Sequence, residues 1–161
     1  MNQRPHNRSG LYDPRFEHDA CGVGAVVNVH GAREHRILEL GNRVLLNLQH
    51  RGAAGGDDET GDGAGILFQI PHEFLAAEAE ACGFDLPERG RYGVAMVFTP
   101  REDGETRDRC HQALAEAAEH YGLSVLGRRC VPGDPSVLGA LARQAEPRVD
   151  QVFLDAAGLE G

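Results

Sequence analysis

Short apolar runs rich in β-branched residues alternate with segments of helical periodicity along most of this chain. Most of the boundaries fall at a proline or glycine. Cys21-Gly-Val-Gly-Ala-Val-Val-Asn-Val29 reads as a buried strand. From Arg33 to Gln49, Ile37, Leu40, Val44 and Leu48 recur at helical spacing, and this helix stops at a glycine-rich loop from Gly52 to Gly63. A strand over residues 65–70 is closed by Pro71. A helix follows from His72 to Cys82, with Gly83 placed to end it in the left-handed conformation. Tyr92–Thr99 is a strand closed by Pro100, and Gly104–Tyr121 a helix presenting Cys110, Leu114, Ala117 and Tyr121, with Gly122 as its stop. Leu123–Val131 is a strand. Asp134-Pro135 is a helix start with an N-cap and a first-turn proline, the helix carrying Val137, Leu138 and Leu141; Gln151–Leu154 is the last strand. Pattern alone suggests a parallel, doubly wound α/β sheet. The final strand, followed only by a polar end, is expected to lack a cover, a first hint of truncation.

With 161 residues the chain has room for about one ordinary domain. Its 21 glycines cluster rather than spread, which indicates tight turns and not a linker. The balance of 25 acidic to 16 basic residues gives a net charge of −9, and the stretch Asp57-Asp58-Glu59-Thr60-Gly61-Asp62 is acidic. A nucleic-acid partner would need a concentrated basic surface. No apolar run approaches the ~20 residues of a membrane span. Nucleic-acid and membrane partners are therefore not expected. Residues 1–17 are polar, without the apolar stretch of a secretory signal, so the expected compartment is the cytoplasm.

The cysteines are Cys21, Cys82, Cys110 and Cys130; they form no C-x-x-C pair, and a reducing compartment disfavours disulfides. His30 and His35 lack a metal-ligand spacing, and no metal is expected. Cys82, Cys110 and Cys130 read as core residues. The bland reading of Cys21 is the same, a small buried cysteine.

The segment around Cys21 argues otherwise. Gly10-Leu-Tyr-Asp-Pro-Arg-Phe-Glu-His-Asp-Ala-Cys-Gly-Val-Gly24, then His50-Arg-Gly-Ala53, Thr60-Gly-Asp-Gly-Ala-Gly-Ile66 and Gln69-Ile-Pro-His72 together resemble the start of glutamate synthase large chains, whose glutaminase domain is a class II glutamine amidotransferase. The resemblance runs from about residue 10 to the last strand. It implies an N-terminal-nucleophile fold, a four-layer α-β-β-α sandwich with largely antiparallel sheets, incomplete in this chain. That expectation replaces the parallel sheet.

The resemblance further implies that residues 1–20 are a leader removed before Cys21, and that residues 21–161 are the N-terminal portion of the amidotransferase domain. Cys21 is then the catalytic nucleophile and L-glutamine the substrate. Elementary chemistry agrees with that assignment. A free thiol near pKa 8.5 is only slightly ionised at neutral pH. An α-amino group freed on the same residue, of pKa about 7.7–8.0, can act as base without a catalytic histidine. His18 lies in the leader and is discounted. Arg51 is the candidate substrate-binding residue, since a guanidinium fork suits a carboxylate or a polarised oxygen. The 61–65 run fits neither nucleotide loop pattern. Its glycines allow close backbone approach near Cys21, and Asp62 is expected to hydrogen-bond within the turn.

In class II amidotransferases an Asn-Gly pair holds the oxyanion, yet residues 52–161 contain no asparagine. The chain thus reads as a truncated domain. No cofactor is expected in it, since FMN and an iron–sulfur cluster belong to the other domains of a full synthase. Downstream synthase domains, or a separate chain completing the site, are the expected partners. The competing readings are an inactive fragment or interaction module, and a different N-terminal-nucleophile amidohydrolase. The long Thr60–Ile66 motif speaks against the latter.

Overall fold

The computed structural model describes residues 22–49, 57, 60–61 and 63–155. They fall into two compact units. One contains residues up to 54 and 61–66; the other contains residues 55–60 and everything from 67 onward.

In the first unit, helix α1 spans His35–Asn47. Ile37, Leu38, Leu40, Val44, Leu45 and Leu48 are all half-buried, and the polar side faces water, as the periodicity predicts. The segment 22–28 carries no regular secondary structure, and Val23, Val27 and Val29 are exposed. Residues 63–66, and 67–70 where the second unit resumes, likewise carry no regular secondary structure, and Leu67 is fully exposed. Two expected strands are therefore not formed among the described residues. β-Branched composition supplies propensity, but a strand exists only when a neighbour completes its ladder.

The second unit is built on a sheet. Its elements are α2 (His72–Ala81), β1 (Tyr92–Thr99), α3 (Gly104–His120), β2 (Ser124–Cys130), a 3-10 turn (Pro135–Val137), α4 (Ala140–Gln144) and β3 (Arg148–Asp155). Strand order is β1-β3-β2, with β3 antiparallel to both neighbours. The pairing runs from Tyr92 opposite Asp155 to Thr99 opposite Arg148. On the other side Arg129 lies opposite Gln151, and a bulge interrupts the ladder between Val125 and Gly127. The sheet is thus antiparallel, in keeping with the N-terminal-nucleophile expectation and against the parallel sheet that alternation alone suggests. This mixed α/β architecture fits part of that fold.

Alternation along β3 divides the packing. Phe153 points to the α2 side, where it meets Leu75 and Tyr92, with Phe84, Leu86, Val94 and Leu126 around them. The Phe84 and Phe153 rings lie tilted at 5.3 Å, a favourable aromatic geometry. Asp150 and Val152 point to the other face, towards α3. Val152 and Phe153 are 2% and 0% exposed. The expectation of an uncovered final strand is therefore wrong: β3 is the centre of the sheet, with helices on both faces.

The helix boundaries follow their punctuation. Gly83 and Gly122 close α2 and α3 at φ +87° and +74°, which a Cβ would resist. Asp103 caps α3, accepting from the Thr106 amide at 2.9 Å. Hydrogen bonds from the Thr106 hydroxyl, then from its amide, hold the Asp103 carboxyl below the usual aspartate range. The face α3 buries differs from the one expected. His111 and Ala118 are buried, while Cys110 and Tyr121 are exposed. Alanine-rich sequence marks the packing stripe weakly, so a one-residue rotation was invisible. Cys82 and Cys130 are also exposed, not core. The helix expected from Asp134 is split: Asp134 caps one 3-10 turn, accepting from the Ser136 amide at 3.0 Å, and α4 starts separately.

Candidate functional site

Cys21 and Arg51 lie outside the described residues, as do His18, His50 and Asp62. Gly22, the residue after Cys21, is described, and within the first unit it packs against the end of α1. A Cβ built on Gly22 would stand 3.0 Å from Cδ2 of Leu48 and 3.2 Å from its Cδ1. Gly22 follows Cys21 in the chain, and Leu48 closes α1 three residues before Arg51. A Cβ on Gly24 would collide with Val44, one turn earlier on α1. Gly41 faces Ile66, the last residue of the Thr60–Ile66 run. Two of the sequence motifs, the segment after Cys21 and the Thr60–Ile66 run, are therefore drawn to α1. Glycine makes that approach possible, since any larger residue at 22 or 24 would push the segment away from the helix.

In the second unit the acidic stretch has a definite task. Asp57 Oδ1 accepts from the Thr60 amide at 2.5 Å, and its Oδ2 accepts from the Leu141 amide at 3.0 Å. Thr60 Oγ1 accepts from the Ala142 amide at 3.3 Å. Asp57 and Thr60 thereby supply acceptors to the first-turn amides of α4, which its own N-cap, Gly139, cannot. Gly139 is buried, and a Cβ there would sit 2.6 Å from the Thr60 nitrogen and 2.7 Å from Asp57 Oδ1. Sequence reading missed this clamp, because its partners are far apart in the chain and the stretch reads only as acidic and turn-forming. Gly139→Ala is expected to lower stability by about 1–3 kcal/mol, the usual range for forcing a methyl into packed space. Combined with Asp57→Ala it should cost clearly less than the two single changes added together, because both break one contact. Urea unfolding of the four proteins measures this, and strict additivity would refute the clamp.

The Gln69-Ile-Pro-His72 motif has a structural role too. His72 Nδ1 lies 3.0 Å from the Tyr92 hydroxyl, linking the start of α2 to β1. Burial, then the Glu73 carboxylate, raises the pKa of that hydroxyl. Among the described residues there is no group of three or more His, Cys, Asp or Glu that could hold a metal ion. No helix among them is long and apolar enough to cross a membrane.

Comparison with known proteins decides the family. The family model for class-II glutamine amidotransferases matches residues 21–160. The chain belongs to that family. Within the class-II amidotransferases it is similar to glutamate synthases. It is 43% identical over 152 residues to glutamate synthase [NADH] of Saccharomyces cerevisiae, covering 92% of this chain and 7% of that protein. It is 42% identical over 156 residues to the glutamate synthase [NADPH] large chain of Bacillus subtilis, covering 97% and 10%. To ferredoxin-dependent glutamate synthase 2 of Synechocystis it is 36% identical over 138 residues, covering 86% and 9%. The chain thus spans a tenth or less of the length of these relatives.

Proposed function

We propose that residues 21–161 carry the nucleophile-bearing part of a glutaminase site that supplies ammonia for glutamate synthesis, and that residues 1–20 are a leader removed to free the Cys21 amine. The observation that carries this reading is the class-II family match, which begins at Cys21 itself. The close approach of Gly22, which follows Cys21, to Leu48, three residues before Arg51, supports it.

In this reading the Cys21 α-amine takes the thiol proton, directly or through a water, and the thiolate attacks the side-chain amide carbon of L-glutamine. The C–N bond breaks, and the nitrogen leaves as ammonia with the proton the amine returns. Water then adds to the γ-glutamyl thioester, releasing glutamate and restoring the thiol. Arg51 holds the substrate through its fork of donors. FMN, an iron–sulfur cluster and the ammonia acceptor are assigned to other synthase domains, which are the proposed partners; the proposed compartment is the cytoplasm.

The second reading, an inactive fragment or interaction module, is favoured by the lack of any asparagine in residues 52–161 to provide an Asn-Gly oxyanion pair. Processing tests the nucleophile assignment. Intact-mass analysis of a complete amidotransferase domain bearing this sequence is expected to show loss of residues 1–20. Full activity in a protein that retains Met1–Ala20 would refute the amine as base.

A further inference from the structure

A cleft of about 270 Å³ opens between α3 and the β2–β3 side of the sheet. It is bordered by Arg107, Asp108 and His111 of α3, Arg128 of β2, and Arg148 and Asp150 of β3. Its floor is a buried ionic arrangement. Asp150 is 3% exposed; one carboxylate oxygen lies 3.1 Å from His111 Nε2, and Arg148 Nε donates to both oxygens at 3.1 and 3.3 Å. A buried carboxylate needs such partners. Asp150 is therefore already satisfied, and it orients Arg148 through Nε alone.

The donors that remain face outward. Arg148 Nη1 and Nη2 have no partner among the described residues, and neither has the Arg128 guanidinium. Arg107 gives one nitrogen to the Arg101 carbonyl at 3.3 Å. Some other guanidinium groups of this acidic chain engage carboxylates: Arg129 with Glu78, Arg101 with Glu146, Arg89 with Glu73 and Arg36 with Glu39. Arg129 also borders the cleft, but Glu78 and Gln151 engage it. At the cleft, four arginines, one of them engaged by Glu78 and Gln151, meet one satisfied carboxylate and the exposed Asp108. A second, more apolar hollow of about 510 Å³ shares Asp108, His111 and Arg128 and continues over Ala115, Val125 and Val152.

We propose that this cleft binds a small oxyanion, a phosphate or carboxylate group, gripped by Arg128 and Arg148, with the adjoining hollow taking the rest of the ligand. Two guanidinium groups with free nitrogens match the paired oxygens of such a group, and charge-assisted bonds of this kind are the strong ones. The volume suits a head group or a free ion, lying just below the range of pockets that enclose drug-sized molecules. Asp108 opposes the anion and sets the affinity from the rim. This site is separate from the glutaminase reading and does not depend on it.

Isothermal titration of the full chain at low ionic strength, with inorganic phosphate and separately with succinate, tests the proposal. One-site saturation with a dissociation constant of about 1 mM or tighter is expected, weakening as salt is added. Arg128→Gln should weaken it by about tenfold or more, the worth of a charged hydrogen bond, and Asp108→Asn should tighten it several-fold. Arg128 is exposed, so its replacement should leave the circular dichroism spectrum intact. If Arg128→Gln fails to fold, Arg128→Lys, which keeps the charge and loses the fork, should still weaken binding. Saturation by phosphate alone marks a phosphorylated ligand, by succinate alone a carboxylate ligand, and by both an unselective oxyanion site. The proposal is overturned if neither anion saturates, or if binding is unchanged in both Arg128→Gln and Arg148→Gln.

Discussion

Cys21→Ser in a complete amidotransferase domain is expected to abolish labelling by a glutamine-mimicking diazo-ketone and to cut ammonia release by about 10³-fold or more. The serine hydroxyl is far less acidic and less nucleophilic than a thiol, and the site is matched to sulfur. The exposure of Cys82, Cys110 and Cys130 dictates the probe. A general thiol alkylator would mark all three accessible sulfurs whatever happens at Cys21, so the reagent has to be shaped like the substrate. Alanine at each of the three should leave that specific label in place. Loss of label in Cys110→Ala with retention in Cys21→Ser would place the nucleophile elsewhere.

The second large effect concerns residues 21–161 prepared alone with a free N-terminal cysteine. Ammonia release from glutamine is expected at least about 10²–10³-fold below an ordinary turnover of ~1–10³ s⁻¹, the cost of a missing oxyanion donor. The thioester forms through a tetrahedral oxyanion, and this segment offers no Asn-Gly pair to receive it. Cys21→Ser is the blank. Turnover of about 1 s⁻¹ would mean that other donors in these residues complete the site. Recovery on adding the downstream segment of a glutamate synthase would show a divided site.

Legibility from sequence followed the locality of each cause. β1 is found at Tyr92–Thr99 as read, because it is a short apolar run closed by a proline. Gly83 and Gly122 mark the helix ends for the same local reason. What depended on distant partners was hidden. Residues 22–28 have strand composition without a partner strand. The buried face of α3 is decided by Asp150, which holds His111, and no spacing within α3 announces that. The direction of the sheet likewise required the family resemblance, since alternation is the same for parallel and antiparallel arrangements. Cys21 and Arg51 lie outside the described residues, and their proposed roles rest on motifs alone. The Asp57 clamp on α4 was not legible at all, because its donors lie at Leu141 and Ala142.

The position of β3 has a consequence for how the second unit comes into being. Among the described residues β1 and β2 do not pair with each other; each pairs with β3, the last of the three to be synthesised. Until Arg148–Asp155 has left the ribosome, the two earlier strands have no template and α3 has no sheet beneath it. Tyr92 must wait for Asp155, its ladder partner. Such late, non-local closure makes folding slow relative to helical units of the same size. It also makes the unit all-or-none: a nascent chain halted within β3 would present two open strand edges at once, a ready template for association with other copies.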